Sequence, residues 1–339
     1  MSPGLSKPAW RSLRRLAWRI AASAVILTLL FRFVPIEEAW AAARRVPPLF
    51  WLAILAGYLG VHAIGVGKYK LMLNGAGAGL HFAQAARCYF TGLFSTLLLP
   101  SVAGGDVVKA GLALRLARSK AGVLVGSLLD RLLDVAALVT LAALGVLLLP
   151  RALQPASRRE FWMALAAVVV AGILAAAILA RWGGFLARRS SFRMRRRLVR
   201  LRRAARTTSQ RPGRVLAALG LALVVQLALL TLTSFLAAAC GLHLPYREWL
   251  FAWPLAKMSA FVPISQAGIG VREAALAALL VPLGARGGVV VAVGLVWETI
   301  VISAGLLAGL LALLLSRLPT ARSPAVAGGS PPRYDEPVS

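Results

Sequence analysis

Two clusters of proline, glycine and charge interrupt otherwise apolar sequence. The first reads Leu97-Leu98-Leu99-Pro100-Ser101-Val102-Ala103-Gly104-Gly105-Asp106. The second reads Phe261-Val262-Pro263-Ile264-Ser265-Gln266-Ala267-Gly268-Ile269-Gly270-Val271-Arg272-Glu273. Proline removes a backbone donor and glycine loosens the chain, so each cluster predicts a broken helix. At membrane depth the freed backbone groups must then face protein or water. Pro100, Gly104, Gly105, Pro263, Ser265, Gly268 and Gly270 are the expected breakers.

The surrounding solvent follows from composition. With 59% hydrophobic residues and only 11 acids in 339 residues, and a mean hydropathy of +0.78, the chain belongs in a bilayer. The net charge of +28 lies mostly between apolar spans. No polar domain with a basic face is visible, which argues against nucleic acid as a partner. Cys88 and Cys240 form neither a disulfide framework nor a metal motif, and His62, His81 and His243 are scattered. No cofactor or metal is expected.

Runs of about 20 apolar residues, the length of a crossing, fall at 16–35, 48–66, 121–149, 160–180, 215–240 and 288–316. The two broken segments, 85–117 and 249–283, have arms of about 12 to 18 residues, short for a crossing. Each is read as a re-entrant hairpin. Charge supports this, because cytoplasmic loops collect Lys and Arg. Residues 181–214 hold thirteen arginines and no acid, and the N-terminus carries Lys7, Arg11, Arg14, Arg15 and Arg19 without an acid. Both regions lie on one face only if the first broken segment does not cross. The sequence thus predicts an all-α polytopic membrane protein with six crossings and two re-entrant hairpins, its N- and C-termini cytoplasmic.

Each half reads span, span, hairpin, span. Three crossings per half is odd, so the second half is expected to be inverted. Pro100 aligns with Pro263, Asp106 with Glu273, and Asp130-Arg131 with Trp297-Glu298, at nearly constant separations along the chain. Inverted repeats with broken helices near the midplane recur in secondary transporters. The organisation is a basic N-terminus (1–15), a first membrane repeat (16–149), a second repeat (150–316) containing the Arg-rich loop 181–214, and a disordered tail (317–339). A competing reading takes the basic start and Ala39-Trp40-Ala41 as a cleaved signal peptide, but cleavage would delete a crossing. Arg19 and Arg32 can snorkel from a retained helix.

Ionisable groups inside the spans are costly and should face one another or a wet cavity. Asp106, Lys109, Arg131, Arg272 and Glu273 are the candidate ligand-facing residues, and Asp130, Glu298 and Lys257 a supporting charge network, with Arg87 near a hairpin entrance. Hairpin tips can also aim backbone N–H groups at an anion such as a phosphate head group. Plainer readings stand beside these. Asp130-Arg131 and Glu298 can be a structural ion pair between the repeats, and Asp134 can pair locally or lie near the membrane face. The glycines can serve only turns, and Gly305-x-x-x-Gly309 helix packing. The Arg189–Arg206 run reads as an amphipathic segment on anionic lipid or as a solvated topology signal.

The stretch Pro100 to Ala110, with Gly104-Gly105-Asp106 and Lys109, resembles the proline, glycine-glycine-aspartate and basic motif of the membrane domain of lysylphosphatidylglycerol synthases and their stand-alone, flippase-like relatives. Pro263 to Glu273 is similar to that family's second signature, and Lys68-Tyr69-Lys70-Leu71-Met72-Leu73 to its basic segment after the second span. The similarity runs over most of residues 15–316. Lys109 stands where arginine is usual, and Asp130-Arg131 where a glutamate-arginine pair is usual. Full-length members join this domain to a soluble aminoacyl-transfer domain and move the modified lipid across the bilayer. That soluble domain is absent from the sequence, so aminoacyl transfer is not expected of it. The resemblance implies lipid translocation, with glycolipid and hopanoid pathways as further sources of cargo.

The combined expectation is a bacterial inner-membrane lipid translocase, not an enzyme, that passes an anionic or glycosylated head group through a polar groove between the hairpins, with a lipid-modifying enzyme as a possible partner. No Walker motif appears, which argues against direct ATP use. The alternatives are a membrane-embedded enzyme using the same acids as general acid and base, and a non-transporting partner in a lipid-modifying complex.

Overall fold

The computed structural model describes residues 36–99, 102–149, 192–260 and 270–317. The expected spans 16–35 and 160–180 lie outside the described residues, as do Pro100, Pro263, Ser265, Gly268, the basic N-terminus and the tail beyond Arg317. The described regular structure is helical: α1 (Ile36–Ala43), α2 (Pro48–Gly75), α3 (Phe82–Leu98), α4 (Val102–Leu116), α5 (Lys120–Leu148), α6 (Phe192–Ser209), α7 (Pro212–Ala239), α8 (Tyr246–Ser259), α9 (Val271–Leu280) and α10 (Gly287–Arg317), with a 3-10 turn at Val281–Leu283. Four of these, α2, α5, α7 and α10, are long and apolar enough to cross a membrane. The chain is a multi-pass membrane protein.

Local signals explain where the long helices begin and end. Pro48 opens α2 and Pro212 opens α7 at the first turn, where a missing N–H is harmless. Both helices close on a glycine with positive φ, Gly77 at 89° and Gly241 at 88°. In each case the N–H groups of the glycine and of the next residue turn back onto the last carbonyls: Gly77 to Asn74 and Ala78 to Leu73, Gly241 to Ala238 and Leu242 to Ala237. Helix α2 runs on to Gly75, past the expected end of its span at 66. Lys68, just beyond that expected end, is buried in the helix and paired with acids of α5.

Corresponding helices of the two halves keep a nearly constant spacing. Helices α2 and α7 are both 28 residues long and begin at Pro48 and Pro212. Helices α3 and α8 begin at Phe82 and Tyr246, the same separation along the chain. The starts of α4 and α9, Val102 and Val271, and of α5 and α10, Lys120 and Gly287, are only slightly further apart. The packing follows the same correspondence. Helix α3 lies on α10 and α8 on α5; α1 lies on α10 and α6 on α5; α2 packs on α7, its own counterpart. Contacts between the halves are therefore exchanged pairwise. The Ala39-Trp40-Ala41 motif is part of α1, and Ala39 is buried where that helix meets α10.

The broken segments form pairs of short helices. Helices α3 and α4, of 17 and 15 residues, fold back on each other. A Cβ on Gly104 would sit 2.7 Å from Leu99, one on Gly105 2.6 Å from the Gly92 carbonyl, and one on Gly92 2.8 Å from Lys109 Cβ, a sequence of contacts that runs antiparallel. Gly104 and Gly105 thus allow close helix packing within α4, beyond any role in the turn. Helices α8 and α9, of 14 and 10 residues, likewise pack together; α9 falls short of the expected arm because Pro282 turns the chain into the 3-10 segment.

Inside lipid, helices associate through van der Waals fit and small residues rather than through apolar burial. Gly126 of α5 would bring a Cβ to 2.6 Å from Leu73 Cα, and Gly145 to 2.6 Å from the Leu250 carbonyl carbon, so the backbones of α5, α2 and α8 touch directly. Gly305 and Gly309 receive Leu97 and Phe94 of α3, the packing role the small-xxx-small spacing suggests. The outer face of α5 carries Leu124, Leu128 and Leu132, exposed at one-turn intervals and suited to lipid.

Candidate functional site

The first half contributes a continuous chain of alternating charges. Asp106 and Lys109 are one turn apart on α4, Asp130 and Asp134 one turn apart on α5, so each pair shares a helix face. Arg131 Nη1 lies 3.4 Å from Asp106 Oδ2, and Asp106 Oδ1 lies 3.2 Å from Lys109 Nζ. Lys109 continues to Asp130 Oδ2 at 3.3 Å. Asp130 Oδ1 reaches Lys68 Nζ at 2.9 Å, and Lys68 reaches Asp134 Oδ1 at 2.6 Å. Lys109 also sits over the rings of Tyr69 and Tyr89, at 4.5 and 5.1 Å. Exposure is lowest in the middle of the chain, 3% for the Lys68 and Asp130 side chains, and rises to 37% for Asp106.

The second half contributes a shorter cluster. Gly270, at φ +86°, precedes α9, and its N–H donates to Glu273 Oε2 at 2.7 Å. Glu273 Oε1 accepts from Arg272 Nη2 at 2.7 Å, and the same nitrogen lies 2.9 Å from Glu298 Oε1 of α10. Gly294 of α10 leaves the space that Glu273 fills. Glu273 is fully buried and caps α9, so it acts on the cluster by fixing Arg272.

Both clusters open onto one cavity of about 480 Å³. Lys68, Asp106, Lys109, Arg131 and Asp134 line it from the first half, and Lys257, Arg272 and Glu298 from the second. Tyr58, with Trp297 at 5.6 Å, and His62 with Tyr89 complete an aromatic wall between them. Of the residues expected to face a ligand, Asp106, Lys109, Arg131 and Arg272 reach the cavity surface; Glu273 lies behind Arg272, and Asp130 behind Lys68 and Lys109. Arg87 is not on the cavity wall.

Two pairings differ from the sequence reading. The ion pair between Asp130-Arg131 and Glu298 does not form among the described residues: each of these groups pairs within its own half. Asp134 does not pair along its own helix but with Lys68 across α2 and α5. Lys257 joins no acid among the described residues; its Nζ donates to Gln226 Oε1 at 2.7 Å and lies 4.6 Å from the Trp253 ring.

Lys68 is the residue that sequence reasoning missed as part of this site. Its signal is present in register: Tyr58, Val61, Gly65, Lys68 and Met72 repeat at intervals of three and four and are all buried on one face of α2. Cys88 and Cys240 are free and buried. No group of three or more His, Cys, Asp or Glu side chains is placed to hold a metal ion among the described residues.

A family model described as the lysylphosphatidylglycerol synthase TM region matches residues 16–309. No curated protein and no solved structure matches the chain.

Proposed function

The chain belongs to the lysylphosphatidylglycerol synthase transmembrane-region family, and from that premise we propose that it is a lipid translocase of the bacterial inner membrane. The head group occupies the charged cavity while the tails stay in lipid. The observation that carries this reading is the convergence of both halves on one cavity: Asp106, Lys109 and Arg131 come from one, Arg272 and Glu298 from the other. Isolated structural ion pairs have no need of a shared opening of about 480 Å³. Charged groups inside a membrane domain that line a cavity mark a path for a polar ligand.

In this reading the two broken segments are re-entrant, the halves form an inverted repeat with six crossings, and both termini are cytoplasmic. The exchanged packing supports it, as does the equal separation of Pro48 from Pro212 and of Phe82 from Tyr246 at the starts of matching helices. The odd number of crossings per half inferred from the sequence adds to this. Arg131, Arg272 and Lys109 engage phosphate or hydroxyl groups of an anionic or glycosylated head group. Asp106, Asp130, Glu298 and Glu273 hold those cations in place. Movement of one helical body against the other exposes the cavity to alternate faces. A lipid-modifying enzyme in the same membrane supplies or consumes the cargo.

The test is leaflet exchange of a fluorescent lipid in vesicles reconstituted with the purified chain, read by quenching of the outer leaflet. The wild type accelerates exchange over empty vesicles, and an Arg131→Ala, Arg272→Ala variant slows it by about tenfold or more, as expected for loss of charge-assisted contacts. Equal rates for variant and wild type would refute the site assignment; no exchange by the folded wild type would refute the transport reading.

A further inference from the structure

Two polar links on the cavity wall join corresponding helices of the two halves, α2 to α3 and α7 to α8. His62 Nδ1 of α2 lies 3.0 Å from the Tyr89 hydroxyl of α3. Gln226 of α7 accepts from Lys257 of α8 at 2.7 Å. His62 and Gln226 stand as far apart along the chain as Pro48 and Pro212, or as Gly77 and Gly241. All four linked residues line the cavity.

Neither link contains a carboxylate, which sets them apart from the rest of the wall. Lys68, Lys109, Arg131 and Arg272 each form an ion pair with an acid; Lys257 has none among the described residues, and the adjoining segment 261–269 contains no acid in its sequence. Among the described residues its ammonium group is held by a neutral amide and the face of Trp253. A part-buried charge so placed lines the cavity without an acid as direct partner among the described residues. His62 Nε2 is also buried without a partner. The Nε2 atom is shielded from the cavity, so the ring forms part of the wall behind Lys257 and not a ligand contact. The cavity therefore presents a cation without an acid partner among the described residues. A group carrying negative charge supplies the missing counter-charge; a sugar hydroxyl can accept a hydrogen bond from the ammonium but brings no charge.

We propose that Lys257, where it projects into the cavity, forms an anion subsite that takes the phosphodiester of a phosphate-bearing lipid head group, and that it sets the preference for anionic over uncharged lipids. The ion-paired cations of the cavity position the ligand without contributing that preference. The inference rests on the translocase reading only in taking the ligand to be a lipid.

Competitive binding to the detergent-solubilised full chain, read by native mass spectrometry, tests it. The probes are phosphatidylglycerol and a monoglucosyl diacylglycerol with the same acyl chains. The wild type is expected to prefer phosphatidylglycerol by about tenfold, the effect of one charge-assisted contact. Lys257→Gln removes the preference and leaves glycolipid binding in place, and Lys257→Arg keeps it. A wild type without preference, or a Lys257→Gln variant that loses both lipids equally, overturns the proposal. Leaflet exchange is not part of the readout: selective binding without exchange would defeat the transport reading alone, and exchange without selectivity would defeat the subsite alone.

Discussion

Lys68 of α2 and Asp130 of α5 hold each other at 2.9 Å, with 3% of either side chain exposed. This contact ties the two helices together at the cavity wall and sets where the rest of the charge chain begins. Lys109 leans on Asp130 from α4, and Arg131, the next residue along α5, turns outward to Asp106. One buried pair thus aligns three helices.

Loss of Lys68 leaves Asp134 without its cation and Asp130 with Lys109 alone. Removing one partner of a buried ion pair costs about 3–5 kcal/mol where no other counter-ion remains, so Lys68→Met is expected to cost less than that. The variant is expected to show a thermal midpoint in detergent several degrees below wild type. Asp134→Asn, at a half-buried position where Lys68 keeps Asp130, should cost clearly less. Equal midpoints for Lys68→Met and wild type would show that the pair bears no structural load.

The hairpin of α3 and α4 depends on bare glycine faces. Gly105→Ala forces a methyl group against the Gly92 carbonyl, 2.6 Å away, and against the Thr96 side chain. Overpacking of this kind costs about 1–3 kcal/mol. Gly111→Ala on the same helix meets nothing within 4 Å and should be neutral or stabilising by up to about 1 kcal/mol, the helix-propensity difference. Thermal denaturation of the two variants side by side distinguishes a packing contact from a general intolerance of α4.

Contact between α3 and α10 can be captured covalently. Leu97→Cys with Gly305→Cys, in a Cys88→Ala, Cys240→Ala background, places two thiols where a Gly305 Cβ would lie 2.6 Å from the Leu97 side chain. Disulfides need Cβ atoms within about 3.5–4.5 Å. Oxidation in native membranes should produce a fast-migrating cross-linked species that disappears on reduction. Its absence would contradict the exchanged packing of the halves.

Arg272 serves two carboxylates at once, Glu273 and Glu298, through one nitrogen. Arg272→Ala is therefore expected to be more damaging to stability than Glu298→Gln, and Glu298→Gln added to Arg272→Ala should restore part of the loss, since groups in one network are not additive. Strict additivity in the melting temperatures would dissolve the proposed unit.

Much of the helical framework is legible in the sequence alone. Breakers, charge and apolar length predict helical arms around Gly104, Gly105 and Gly270, and the near-constant spacing of the paired motifs matches α2 with α7 and α5 with α10. The cost of burying charge singles out Asp106, Lys109, Arg131, Arg272 and Glu298, and the fold brings these five to a single cavity. Partner choice is not legible. A hydropathy window stops short of Lys68, whereas a lysine facing two acids across a helix pair can stay inside. Glu273 reads as a ligand contact because it flanks a glycine-rich breaker; its capping bond to the Gly270 N–H depends on a positive φ that sequence spacing does not reveal. Lys257 reads as a member of the ion network, and only the packing of α7 on α8 shows that it faces an amide.

The exchange of packing partners redraws the natural seams of the molecule. With α1 and α3 seated on α10, and α6 and α8 seated on α5, the contacts do not divide the molecule into an N-terminal and a C-terminal half. Each such group is a hybrid, joining a long helix of one half to shorter helices of the other. Neither half expressed by itself would contain a complete group.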